Sequence, residues 1–133
     1  MGADITGEGT SEIQINGVDS LKSTDHTVIG DRVVAGTYLA AIMSTNGHGK
    51  INGINPEHLP MELKKFVEIG AKLNTGDDFI EIESTNDLSS IDISTLPFPG
   101  IATDLQPIFG AALLRAQGTS ITVSYTHLRA HET

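Results

Sequence analysis

The strongest periodic signal in the chain lies in residues 97–118, PFPGIATDLQPIFGAALLRAQG. Leu105, Ile108, Phe109, Ala112, Leu113 and Ala116 follow at i, i+3, i+4, i+7, i+8 and i+11, the spacing of one apolar helical stripe. Ahead of the stripe, Thr103, Asp104, Leu105 and Gln106 fit the Ser/Thr-x-x-Glu/Gln capping box, whose side chains satisfy backbone donors that a helix start leaves free. The pattern predicts a helix that starts at Thr103, buries its stripe and ends at Gly118, with Pro107 tolerated in the first turn. Asp104 then sits in that first turn, pointing away from the stripe, after a Pro-Phe-Pro-Gly loop that could present it to a ligand.

Upstream, Ile13 and Ile15 alternate with Glu12, Gln14 and Asn16, the period-two pattern of a half-buried strand, and residues 2–17 read as a turn-rich strand pair. Val28 and Ile29 predict a short apolar strand before VVAGTYLAAIM, a helix apolar nearly all round and therefore buried on most sides. Gly47 and Gly49 close that helix, and residues 50–54 predict a strand. Asn55 and Pro56 suit a helix cap and first turn; Leu59, Leu63, Phe66 and Val67 then form the apolar stripe while Glu62, Lys64, Lys65 and Glu68 face water. Gly70 stands at a C-cap position, residues 73–82 read as a hairpin around Thr75, Gly76, Asp77 and Asp78, and Ile91 and Ile93 start a further strand.

Internal repetition organises these elements. Gly2, Ala3, Asp4, Ile5, Gly7, Ile13 and Ile15 recur as Gly70, Ala71, Lys72, Leu73, Gly76, Ile80 and Ile82, and Ala40, Ala41, Ile42 and Gly47 recur as Ala111, Ala112, Leu113 and Gly118. Both registers give a period of about 70 residues, so the fold class expected is α/β, built of repeated βαβαββ units. Residues 1–22 would end one unit, 23–86 form a complete unit and 87–122 open a third.

Composition narrows the function classes. A chain of 133 residues with 38% apolar content supports one core, and a net charge of -9 disfavours partners such as nucleic acid or an anionic membrane. The absence of cysteine excludes disulfides and Cys-ligated zinc and fits a reducing compartment. No apolar run reaches membrane-spanning length, and MGADITGEGT lacks the features of a signal peptide, so the expected location is cytoplasmic.

The segments GDRVVAGTYLAA, GINPEHLPMELKKFVEIGAKL and above all PFPGIATDLQP resemble the enolpyruvyl transferases, in particular the branch that acts on UDP-N-acetylglucosamine in peptidoglycan biosynthesis. The likeness covers residues 2–122; its most specific part is Thr103-Asp104-Leu105-Gln106 followed by Gly118-Thr119, where the shikimate-pathway branch differs. The resemblance implies a partial inside-out α/β barrel and an internal fragment, inactive alone. The complete enzyme would move the enolpyruvyl group of phosphoenolpyruvate to the 3'-hydroxyl of UDP-N-acetylglucosamine, with no metal or other cofactor. Asp104 matches the aspartate placed to take the proton from the sugar hydroxyl, and Thr103 beside it is expected to contact the sugar. Ile101 and Ala102 replace the Phe-Pro common before this pair. The alternatives are a 3-phosphoshikimate 1-carboxyvinyltransferase-like enzyme and a non-catalytic binding module built from the same repeats.

Considered without the resemblance, Asp104 is a first-turn carboxylate at the positive end of a helix dipole, a common structural role. His127, His131 and Glu132 imitate half a metal site, but the last eleven residues, VSYTHLRAHET, resemble a translated sequencing adapter, which makes residues 123–133 non-native and expected to pack against nothing. His26, His48 and His58 are scattered over separate elements and read as solvated loop residues, NGHGKING lacks the ending of a phosphate loop, and Asp77 and Asp78 suit a turn. No Ser-His-Asp order or GxSxG elbow appears.

Overall fold

The computed structural model of this protein describes residues 1–124. In chain order the elements are β1 (Asp4–Thr6), β2 (Gln14–Asn16), α1 (Arg32–Ser44), β3 (His48–Asn52), α2 (Pro60–Ile69), β4 (Lys72–Thr75), β5 (Phe79–Glu83), β6 (Ile93–Ser94), α3 (Gln106–Leu113) and β7 (Thr122–Val123). One-turn 3-10 helices at Pro56–His58 and Thr103–Leu105 precede α2 and α3.

Asp31 starts α1 by accepting from the amides of Val33 and Val34, which satisfies two donors that the first turn leaves free. Its inner face places Leu39, Ala40 and Met43 in the core, whereas Val34 and Tyr38 are exposed, so the helix is buried on one side and not on most sides as its composition suggests. At its far end the Met43 carbonyl accepts from the Arg115 guanidinium at 2.7 Å and the Ser84 hydroxyl at 3.2 Å, besides the Asn46 amide at 3.4 Å, so long-range partners supplement the local bond at the helix end.

The three-stranded sheet has the order β3-β5-β4, antiparallel throughout. Along β5, Ile80 and Ile82 are fully buried and alternate with Phe79, Glu81 and Glu83 on the outer face. There the Glu81 carboxylate accepts from Asn74 at 3.0 Å and lies 3.1 Å from His48 Nε2; Asn74 first, then His48, holds the carboxyl below its ordinary range. The predicted hairpin of β4 and β5 is present, closed by Gly76 N donating to the Phe79 carbonyl at 3.1 Å.

Helices α1, α2 and α3 and the sheet share one hydrophobic core. Phe66 of α2 stacks on Phe109 of α3 with ring centroids 4.6 Å apart, and Leu105, Ala112 and Leu113 complete the buried face of residues 105–113. Residues 87–122 therefore belong to the same core as the middle of the chain. Strands β6 and β7 pair in parallel across the α3 crossover, with Ile93 opposite Thr122 and Ser94 opposite Val123.

Several local expectations are corrected. Val28 and Ile29 form no strand and are exposed; the following Gly30 packs against the Gly53 carbonyl, where a Cβ would overlap, and the chain enters α1 without pairing to a sheet edge. The β1-β2 pair forms with Ile5 opposite Ile15, yet Ile15 is 70% exposed because no layer among the described residues covers it. Helix α3 ends at Leu113, before Gly118. Val123 and Ser124 are engaged: the Val123 carbonyl accepts from Thr95 N at 2.9 Å, and the Ser124 hydroxyl meets Thr95 Oγ1 at 3.0 Å. Both belong to the stretch expected to pack against nothing; its remainder, with His127, His131 and Glu132, lies outside the described residues.

Among the described residues the small sheets stay separate and no closed barrel forms, so the architecture is an α/β portion consistent with a partial inside-out barrel. No described helix is long and apolar enough to cross a membrane.

Two measurements check this arrangement. Amide hydrogen exchange should show the strongest protection in α1, α2, β5 and α3 and little in residues 1–31; protection confined to residues 23–83 would contradict the shared core. Replacing Phe109 by Ala should lower unfolding free energy by about 3–5 kcal/mol in urea titration, against about 0.5 kcal/mol or less for Tyr38→Ala on the exposed side of α1.

Candidate functional site

Thr103 and Asp104 lie on the one-turn helix that leads into α3, and both are exposed. The turn is fixed by its third residue. Leu105 is fully buried and packs so closely on α1 that a Cβ at Gly36 would lie 2.7 Å from Leu105 Cδ2. The absence of a side chain at Gly36 thus lets the turn settle directly on the helix. Asp104 projects to solvent beside this anchor, and among the described residues no side chain pairs with its carboxylate.

The expected capping box does not form. Ala102 is the cap residue and offers no side-chain bond, the Thr103 hydroxyl lies 2.9 Å from Ser124 Oγ, and the Gln106 amide donates to Thr122 Oγ1 at 3.4 Å. The two side chains are recruited sideways by β7 and the residue after it. What sequence attributes to local capping is a tertiary clasp between the turn and the β6-β7 pair.

The loop before the turn is held from two further directions. Residues 97–100 carry a cis Phe98-Pro99 bond and close with Gly100 N donating to the Pro97 carbonyl at 2.8 Å. The Arg32 guanidinium lies over the Phe98 ring, 5.7 Å from its centroid, a cation-π distance that ties the start of α1 to the loop. Glu62 of α2 is 1% exposed.

Glu62 is the residue that the sequence pattern misplaces. It was expected among the water-facing positions of α2, with Val67 in the stripe; the structure buries Glu62 and leaves Val67 52% exposed. Spacing carries the missed signal, since Glu62 stands three residues after Leu59 and four before Phe66, on the line that continues to Ile69. Among the described residues neither carboxylate oxygen has a hydrogen-bond partner. Burial pushes the carboxyl up from its ordinary value, opposed in turn by its own amide, the Arg32 charge and the Ala102 amide.

Neither Thr103 nor Asp104 lines the clefts of about 390 Å³ at Asp87–Ser90 and Gln117, or of about 620 Å³ near His48 and Lys72. The arrangement at residues 97–106 is instead an exposed acidic group on an anchored turn, able to accept a proton or a hydroxyl hydrogen bond from a ligand brought against this face. Among the described residues no group of three His, Asp or Glu side chains could hold a metal ion.

The fold is that of an enolpyruvyl transferase: superposition on the enolpyruvyl transferase NikO from Streptomyces tendae gives a TM-score of 0.70 over 98% of this chain and 33% of that one, at 22% identity. The sequence profile of EPSP synthase (3-phosphoshikimate 1-carboxyvinyltransferase) matches residues 1–133, and the chain belongs to this family. UDP-N-acetylglucosamine 1-carboxyvinyltransferase 2 of Geobacillus kaustophilus is 42% identical over 121 residues, covering 91% of this chain and 28% of the relative. The Thermotoga maritima UDP-N-acetylglucosamine 1-carboxyvinyltransferase is 42% identical over 121 residues, 91% of this chain and 29% of the relative. Caldanaerobacter subterraneus has a UDP-N-acetylglucosamine 1-carboxyvinyltransferase 2 that is 47% identical over 122 residues, again 91% of this chain and 29% of the relative. The chain thus spans less than a third of the length of these relatives.

The environment of Glu62 sets a pH dependence. Its pKa is raised above the ordinary 4.5 in the folded state, so ionisation opposes folding: the penalty is absent below that value and grows as pH rises through the raised one. Urea unfolding of the protein and of Glu62→Gln between about pH 8 and about pH 5 should show the wild type gaining stability relative to the variant on acidification. A difference that stays constant with pH would mean that Glu62 titrates as a solvated side chain.

Proposed function

We propose that this chain is the portion of a UDP-N-acetylglucosamine 1-carboxyvinyltransferase that carries its proton acceptor. The complete protein would transfer the enolpyruvyl group of phosphoenolpyruvate to the 3'-hydroxyl of the sugar nucleotide, in the cytoplasm and in the service of peptidoglycan synthesis. The observation that carries this reading is identity of 42% to 47% over about nine-tenths of the chain to relatives of that name. Asp104 takes the role of general base toward the sugar hydroxyl, and Thr103 contacts the sugar. Exposure of both on a turn anchored by Leu105 supports these roles, because a base needs a fixed position and open access to its substrate. The groups that hold phosphoenolpyruvate and the uridine lie outside this chain, so the fragment alone should not turn over. No metal is required by this chemistry.

A second reading has one observation in its favour. The family profile is that of 3-phosphoshikimate 1-carboxyvinyltransferase, so shikimate 3-phosphate is the alternative acceptor. Assaying the full-length protein that carries this segment with each acceptor separates the two.

Asp104→Asn in that full-length protein tests the site. The substitution keeps the shape of the side chain and removes the proton acceptor, so kcat should fall by about 100- to 10,000-fold while the melting temperature stays near that of the parent. Turnover within a few-fold of the parent, accompanied by a lowered melting temperature, would make Asp104 a structural residue.

A further inference from the structure

We propose that Arg32 is a positioning residue for Asp104: from the first position of α1 its guanidinium covers the Phe98 ring and holds the loop that leads to the aspartate. The inference rests on the reading of Asp104 as proton acceptor. Arg32 stands directly after the Asp31 cap, where the helix dipole presents its positive end and a cation is unfavourable. Among the described residues the guanidinium enters no ion pair that would offset this cost. What it meets is the Phe98 ring, 5.7 Å from its centroid, at the tip of an exposed turn.

The geometry of α1 gives this contact its consequence. Arg32 and Gly36 are four residues apart, so they lie one above the other on the same side of the helix. Gly36 seats Leu105 and Arg32 meets Phe98, so a single helix face holds both ends of residues 98–105. Between these two points the backbone has little slack. Gly100 N donates to the Pro97 carbonyl at 2.8 Å, Leu96 N to the Ile101 carbonyl at 3.0 Å and Leu105 N to the Ala102 carbonyl at 3.0 Å. A shift at Phe98 is therefore passed on to the turn that carries Asp104. Leu105 fixes one end of the segment and the Ser124 and Thr122 hydroxyls hold its side; the grip at the other end comes from Arg32.

The experiment compares Arg32→Gln, Phe98→Leu, the double variant, Phe98→Tyr and Asp104→Asn in the full-length protein. Arg32→Gln and Phe98→Leu should each lower kcat by about three- to tenfold with KM within about twofold, because a cation-π contact at an exposed ring limits what its loss costs a base that is misplaced but still present. The double variant should be no more than about twofold worse than the poorer single one, since both changes break the same contact. Phe98→Tyr keeps the ring face and should stay within about twofold of the parent. Losses that multiply in the double variant would overturn the proposal, as would parental kcat in either single variant; a fall in Arg32→Gln with none in Phe98→Leu would put the guanidinium on a ligand instead. Two measurements on the 133-residue chain are independent of turnover. The side-chain proton resonances of Arg32 should lie upfield through the ring current of Phe98 and lose that shift in Phe98→Leu, and exchange of the Leu96 and Gly100 amides should accelerate at least about threefold in Arg32→Gln. Arg32 resonances that ignore the loss of the ring, or loop amides that ignore the loss of the guanidinium, would overturn the proposal as well. Failure of the Asp104 reading would show separately, as undiminished turnover in Asp104→Asn.

Discussion

The stacked pair of Phe66 and Phe109 joins two helices that are more than forty residues apart in the chain, and both rings are fully sealed from solvent. Leu39 and Met43 of α1, Ile80 and Ile82 of β5, and Leu105 ahead of α3 belong to the same core. Aromatic pairs of this kind contribute about 0.5–1.5 kcal/mol beyond their area burial. The larger effect here is geometric: with α3 fixed against α2, the turn at Thr103–Leu105 has one place to go, and Gly36 provides the clearance for it on α1. The position of Asp104 is thus set by packing that involves none of its own atoms.

Because what holds the aspartate lies in other residues, a small acidic turn is both exposed and fixed in position. Leu105 anchors it below, the Ser124 and Thr122 hydroxyls hold Thr103 and Gln106 from the side, and Arg32 braces the preceding loop. Each support comes from a different part of the chain. Membership of the EPSP synthase family, with the likeness of fold to an enolpyruvyl transferase, gives this scaffold its context.

Elements that depend on long periodic patterns were legible in the sequence: the apolar face of residues 105–113 and the β4-β5 hairpin needed little beyond local spacing and turn chemistry. Where the reading failed, a distant partner decided. Thr103 and Gln106 have the chemistry of a capping box, but hydroxyls 21 and 16 residues further on compete for the same side chains. Val28 and Ile29 are apolar enough for a strand and find no sheet edge to join. At Glu62 the helical phase indicates burial and the charge indicates water, and the residue is buried as its phase indicates. The pattern of spacing placed Asp104 in a first turn away from the apolar stripe, and family likeness alone supplied the role expected of it.

The segment between β2 and α1 runs through residues 17–31 without regular structure, and every described core residue lies after it. It contains Lys22 in an exposed stretch of backbone. A protease that recognises extended, accessible chain would therefore find its cut site here before anywhere in the helical body, and severing the chain at this point would release the β1-β2 hairpin while breaking no contact of the Phe66-Phe109 core. Covalent continuity through this stretch is dispensable to the part of the molecule that carries Asp104.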